Sequence, residues 1–187
     1  MIRTCRETDL DEMVRIWYDA SVIAHFFMPA PFWASYKPAM KEKYLPLAEN
    51  YVFEQDGNVA GFISLAGEIV CALFVAPEAQ GKGAGKALLE HAKALKGRLS
   101  LKVYKDNRKA VLFYEKSGFR AAGEEIDEHT GCVQILMEWD ILRIKGREWR
   151  RESMNRKTVD ISAKEGDDSL FWHLEPDTPE VKKIKSL

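Results

Sequence analysis

The stretch from Ile69 to Leu95 limits the possible folds most. Ile69-Val-Cys-Ala-Leu-Phe-Val75 is an apolar run, too short for a typical helix and rich in β-branched residues, which predicts a buried strand. Ala76 and Pro77 end it, because proline has no amide to give to a ladder and pushes its predecessor out of helical space. Gly81, Gly83 and Gly85 follow, and a helical stretch from Lys86 to Leu95 carries Ala87, Leu88, Leu89, Ala92 and Leu95. A strand, a glycine-rich turn and a helix together offer free backbone N–H groups and a positive helix end to a phosphate. Two common phosphate loops do not match. A P-loop has Gly, four residues, then Gly-Lys-Ser/Thr; here Gln80 replaces the first glycine and Ala87 the hydroxyl. A Rossmann G-x-G-x-x-G/A fails in both registers, with Lys86 or Leu88 at its last place. What remains is Gln80-x-x-Gly83-x-Gly85, or a tight turn that uses glycine only for backbone freedom.

A second block follows. Leu99-Ser-Leu-Lys-Val-Tyr104 alternates as a strand, and Asn107-x-x-Ala110-x-x-x-Tyr114-x-x-x-Gly118-Phe119 comes after it. Together the two blocks resemble the GNAT acetyltransferases. Their acetyl-CoA loop reads Arg/Gln-x-x-Gly-x-Gly/Ala between a strand and a long helix, and their second block carries the same letters at the same spacing. The resemblance covers residues 1–140. It is nearest to small bacterial GNAT proteins with an Ala/Gly-His-x-Phe segment, a later Trp, and a Tyr before the second strand; His25, Trp33 and Tyr44 match those places. The fold it implies is α/β: a mixed, mostly antiparallel sheet of six to seven strands, helices on both faces, and strands four and five splayed into a V.

Along the chain, Ile2 to Arg6 reads as a strand. A helix begins near residue 9, where Thr8, Asp9 and Asp11 favour a first turn. Leu10, Met13, Val14 and Trp17 share one helical face. Residues 22–46 combine His25, Phe26, Phe27, Phe32, Trp33, Tyr36 and Tyr44 with several prolines, which predicts an irregular pocket wall. Tyr51–Glu54 and Val59–Leu65 are strands joined by a hairpin turn at Gln55-Asp-Gly-Asn58. Arg120–Asp127 and Val133–Trp139 form a last hairpin around Glu128-His-Thr-Gly131. The extension 141–187 is expected to be partly helical and to dock on the domain or on a second copy through Leu170-Phe-Trp-His-Leu174.

The 187 residues suit one domain with a real core, and the net charge of −1 gives no bulk attraction to nucleic acid or a membrane surface. No apolar run approaches the ~20 residues of a membrane span. The N-terminus lacks a secretory apolar core, and Cys5, Cys71 and Cys132 show no metal-type spacing, so reduced thiols in the cytoplasm are expected. No cluster has metal-ligand spacing, so no metal is expected.

The resemblance implies acetyl transfer from acetyl-CoA to a primary amine, on a protein lysine or a small molecule. Gln80, Gly81, Lys82, Gly83, Ala84, Gly85 and Lys86 would hold the pyrophosphate. The backbone of Phe74 and Val75 would pair with the pantetheine arm, and the Val75 N–H would polarise the thioester carbonyl. Asn107, Ala110 and Phe113 fall along the cofactor. Tyr114 is the expected general acid, since a phenol of pKa ~10 stays protonated at neutral pH; a core tyrosine is the alternative. An acceptor lysine of pKa ~10.4 is nucleophilic in only about one molecule in a few thousand at pH 7, so a base or a dry pocket is needed. Some relatives place a Glu on the fifth strand where this chain has Lys102, and a protonated lysine accepts no proton. Glu68, Tyr104, and His25 through water are left as base candidates, and His25, Trp33, Tyr44 and Tyr104 as the acceptor wall. Two competing readings are a silent acyl-CoA-binding module that assembles through its tail, and an aminoacyl-tRNA acetylating toxin. The latter needs a basic patch that composition does not show.

Overall fold

The computed structural model describes residues 1–128 and 130–141. The expectations for the C-terminal extension, docking and dimerisation included, lie outside the described residues. Among the described residues seven strands form one sheet: β1 Ile2–Thr4, β2 Glu49–Gln55, β3 Asn58–Ala66, β4 Ile69–Val75, β5 Arg98–Tyr104, β6 Arg120–Ile126 and β7 Val133–Asp140. Their spatial order is β1-β2-β3-β4-β5-β7-β6, antiparallel throughout except for β4 beside β5. The β2–β3 hairpin turns where Asp56 and Gly57 take φ +53° and +79°, the left-handed pair that matches strand twist.

Helices cover both faces. α1, Leu10–Ala24, buries Met13, Ile16, Trp17 and Ala20 against β3 and β4. The segment after it is more regular than its composition suggests. α2 Ala30–Ser35, α3 Lys37–Ala39, a π-helical turn Met40–Tyr44 and a 3-10 turn Leu45–Leu47 follow one another. Pro31, Pro38 and Pro46 each sit in a first turn, where the missing N–H has no intrahelical partner to lose, so these prolines start helices rather than break them. On the opposite face, α4 Ala84–Leu95 and α5 Arg108–Lys116 bury Leu88, Leu89, Ala92 and Tyr114 against Ile63, Leu65, Leu101 and Met137.

Two features prepare the site. β4 and β5 share one register pair, Ile69 with Ser100, and then diverge, so the sheet opens into a V toward Val75 and Tyr104. Opposite Val75 stands Gly61 of β3, where a Cβ would lie 2.8 Å from the Phe74 carbonyl oxygen. Only glycine lets the two strands approach this closely.

Candidate active site

The V opens into a cavity of about 1260 Å³, above the ~300–1,000 Å³ common for one small ligand and enough for a cofactor and an acceptor together. Its walls include β4, the glycine loop, the ends of β5 and α1, and α5.

Ala76 donates its N–H to Ala60 O at 2.9 Å. Amides alternate sides along a strand, so the Phe74 amide also turns toward β3, and those of Leu73 and Val75 face the gap that β5 has left. This corrects one expectation: the free edge belongs to Leu73 and Val75. Phe74 instead lines the cavity with its side chain, 5.7 Å from the Phe62 ring. The Gln80 side chain donates to Val75 O at 3.1 Å and so ties the loop to the strand end.

Gly81 and Gly83 take φ +75° and +92°, a conformation in which a side chain is strained. Gly83 is the residue before α4, so the loop amides and the helix N-terminus converge on the cavity. Gln80, Gly81, Gly83, Ala84, Gly85 and Lys86 all line it, whereas Lys82 is exposed at the loop tip and is not on the wall. From across the V, Asn107, Ala110, Phe113 and Tyr114 line it as well. Asn107 caps α5, its Oδ1 accepting the Ala110 N–H at 3.2 Å. Tyr114 is buried between Phe113 and Phe119, at ring separations of 5.2 and 5.6 Å, and burial raises its pKa above the ordinary phenol value.

On the acceptor side, His25 at the end of α1 lines the cavity while only 5% exposed. Its ring packs 5.0 Å from Trp33 and 5.2 Å from Tyr104, and its Nε2 lies 3.5 Å from Asn107 Nδ2. Burial pushes its pKa down to about 4, so the imidazole is neutral at pH 7. Because Asn107 Oδ1 is committed to the helix cap, its Nδ2 donates toward His25, which makes Nε2 the acceptor and places the ring proton on Nδ1.

Three more expected site residues, besides Lys82, lie elsewhere. Trp33 and Tyr44 are buried in the core, and neither lines the cavity; the Trp33 ring stands behind the wall, against Trp17 and His25. Glu68 is exposed in the β3–β4 turn, its carbonyl accepting the Ser100 N–H at 3.0 Å. That is the closed end of the V, opposite the loop. Tyr104 is on the wall but donates its hydroxyl proton to Asp127 Oδ2 at 2.6 Å, and burial beside that carboxylate raises its pKa, which unsuits it as a base. Lys102 also lines the cavity, paired with Glu125 Oε1 at 2.6 Å. Sequence reasoning missed Gly61, Leu73, Asp127 and Gln134. Gly61 alone left a signal, an isolated glycine within a strand pattern.

Residues 29–141 match the family model described as an acetyltransferase (GNAT) domain. The chain belongs to the GNAT acetyltransferase family. Among curated relatives, the peptidyl-lysine N-acetyltransferase YiaC of Escherichia coli K12 is 32% identical over 144 residues, 76% of this chain and 99% of that protein. The peptidyl-lysine N-acetyltransferase YjaB of the same organism is 35% identical over 130 residues, 68% of this chain and 87% of that protein. The solution structure of apo YjaB from Escherichia coli superposes with a TM-score of 0.67 at 29% identity, covering 74% of this chain and 96% of that one. This GNAT protein is therefore an N-acetyltransferase. Among the described residues no helix is long and apolar enough to cross a membrane, and no group of His, Cys, Asp or Glu gathers as a metal site.

Proposed function

We propose that this protein transfers the acetyl group of acetyl-CoA directly to the ε-amine of a lysine in a peptide or protein. The observation that carries the reading is that one cavity holds both the gap-facing Val75 N–H and Tyr114. The loop amides and Lys86 grip the pyrophosphate, and the pantetheine arm lies along Leu73–Val75 as an added strand. The amine nitrogen attacks the thioester carbon, and the Val75 N–H stabilises the oxyanion that forms. The C–S bond then breaks, Tyr114 gives its proton to the departing thiolate, and the excess amine proton passes to solvent, from which the Tyr114 phenolate takes a proton back. The lysine acceptor is supported by the names of the two curated relatives.

The numbers weigh against a general-base role for His25. An imidazole of pKa about 4 facing an ammonium of pKa ~10.4 leaves a gap of about 6 units, or roughly 8–9 kcal/mol. Its aromatic surroundings act instead by drying the acceptor, which favours the uncharged, nucleophilic amine.

The test is CoA release with lysine peptides and with small amines, with Tyr114→Phe alongside. We expect the variant to lose about 10²–10³-fold in kcat while acetyl-CoA affinity stays within about twofold. Equal turnover by variant and wild type would remove the acid role. Turnover with small amines but with no lysine peptide would remove the peptide acceptor.

A further inference from the structure

Behind the acceptor end of the cavity, Asp127 closes the β6–β7 hairpin. Its N–H donates to Cys132 O at 2.9 Å, and its carbonyl accepts the Gly131 N–H at 2.7 Å. The side chain is fully buried and is not on the cavity wall. Two wall residues reach back to it. Tyr104 donates to Oδ2 at 2.6 Å, and Gln134 Nε2 approaches the same oxygen at 3.3 Å. Tyr104 and Gln134 are register partners on β5 and β7, side by side at the wide end of the V.

Asp127 removes the ambiguity that usually attends a glutamine amide. A carboxylate only accepts, so the Gln134 group facing it must be the NH₂, and the carbonyl oxygen must point away. That oxygen, Oε1, is buried, and no described residue donates to it. Gln134 itself is 1% exposed and lines the cavity. An amide oxygen buried without a donor costs about 1–3 kcal/mol, a cost relieved when a ligand brings an N–H.

We infer that Gln134 Oε1 takes a hydrogen bond from the acceptor nitrogen and orients it for attack, with Asp127 as the positioning residue that fixes the amide. The inference rests on the direct-transfer reading above. It makes the acceptor subsite selective for nitrogen that still carries a hydrogen. Lys102 on the same wall is paired with Glu125, so this part of the wall reads the amine through a neutral amide.

The test compares dissociation constants, measured by titration calorimetry, for CoA and for three conjugates joined through an S-acetyl bridge. One ends in a butylamide, one in an N-methyl-butylamide that has no N–H, and one in a lysine peptide. Wild type is expected to bind the butylamide about tenfold more tightly than the N-methyl form. Gln134→Met, which keeps the volume, is expected to bind both equally while holding CoA as wild type does. In Asp127→Asn the Gln134 amide is released to turn either way, and the preference should shrink without disappearing. A preference undiminished in Gln134→Met overturns the inference. So does equal binding of the two butyl conjugates by wild type, a result that remains readable even if Gln134→Met does not fold. A peptide conjugate no tighter than the butylamide counts against the peptide acceptor alone and leaves the role of Gln134 standing.

Discussion

The two sides of the cavity are built from different chemistry. In the proposed mechanism the groups at work on the cofactor side are backbone: the Leu73 and Val75 amides, the N–H groups of the glycine loop, and the N-terminus of α4. On the acceptor side they are side chains delivered from distant parts of the chain: His25 from α1, Tyr104 and Gln134 from β5 and β7, and Asp127 from a hairpin turn. Backbone chemistry demands particular conformations at particular places, and those demands appear as glycines at fixed spacing. Side-chain chemistry assembled across the fold places no such demand on neighbouring letters. The cofactor half is therefore expected to be sensitive to changes that move the main chain, and the acceptor half to changes in charge and hydrogen bonding.

The largest break in this contrast should come from Gly61→Ala. The substitution removes no group from the cavity. Its added Cβ would sit 2.8 Å from Phe74 O and 3.2 Å from Val75 Cα, so β4 must shift where the proposed mechanism sets its amides against the thioester. Displacements of about 1 Å at a reacting centre cost about 100-fold, and that loss is expected in kcat/KM for acetyl-CoA. Overpacking should also lower stability by about 1–3 kcal/mol, measurable by urea denaturation. Unchanged kinetics would mean that the exact course of β4 does not matter.

What was legible follows the same division. The strand–loop–helix unit, the second block through Phe119 and the hairpins were readable because proline, glycine and alternation each impose a local geometry. Helix α2 was not, because Pro31, Pro38 and Pro46 look like breakers until their first-turn positions are known. The resemblance to small bacterial GNAT proteins implies Trp33 and Tyr44 on the acceptor wall, but helical phase turns them into the core. Glu68 is a candidate by its carboxylate and its place at the start of the central strand, and the single β4–β5 register pair sets that place at the closed end of the V. The Asp127–Gln134 pair depends on which oxygen faces which nitrogen across a hairpin, and no spacing in the sequence announces it.

An intermediate effect is expected from His25 and sharpens the acceptor half. Its folded pKa of about 4 lies below the unfolded value near ~6.5, so between these values the unfolded chain binds the proton that the folded chain refuses. Stability from this residue is thus complete above about pH 6.5, falls as pH drops toward 4, and is flat below. The loss should amount to about 3 kcal/mol. His25→Phe keeps the aromatic packing and removes the titration, so its stability should decline less than that of wild type across this window. Parallel curves would mean that the imidazole is not shielded from water. The Asp9 carboxyl, held below its usual range mainly by the Arg3 guanidinium, acts at lower pH and does not confound the comparison.

The smallest effect should come from Val75→Ala, and its smallness is the point. In the proposed mechanism residue 75 acts through its N–H, which faces the gap, while its side chain packs beside Gly61 and Gly85. Alanine keeps the N–H and the strand and removes two methyl groups from a partly buried position, at a cost of about 1 kcal/mol of stability. Turnover should stay within about twofold. Set beside Gly61→Ala, this yields an inverted pattern: a change at the residue nearest the thioester does little, and a change on the neighbouring strand does much. That pattern is expected only if the main chain of β4, and not its side chains, performs the chemistry there. A loss of 100-fold in Val75→Ala, measured as kcat at saturating acetyl-CoA, would instead assign the work to the valine side chain and dissolve the contrast between the two halves of the cavity.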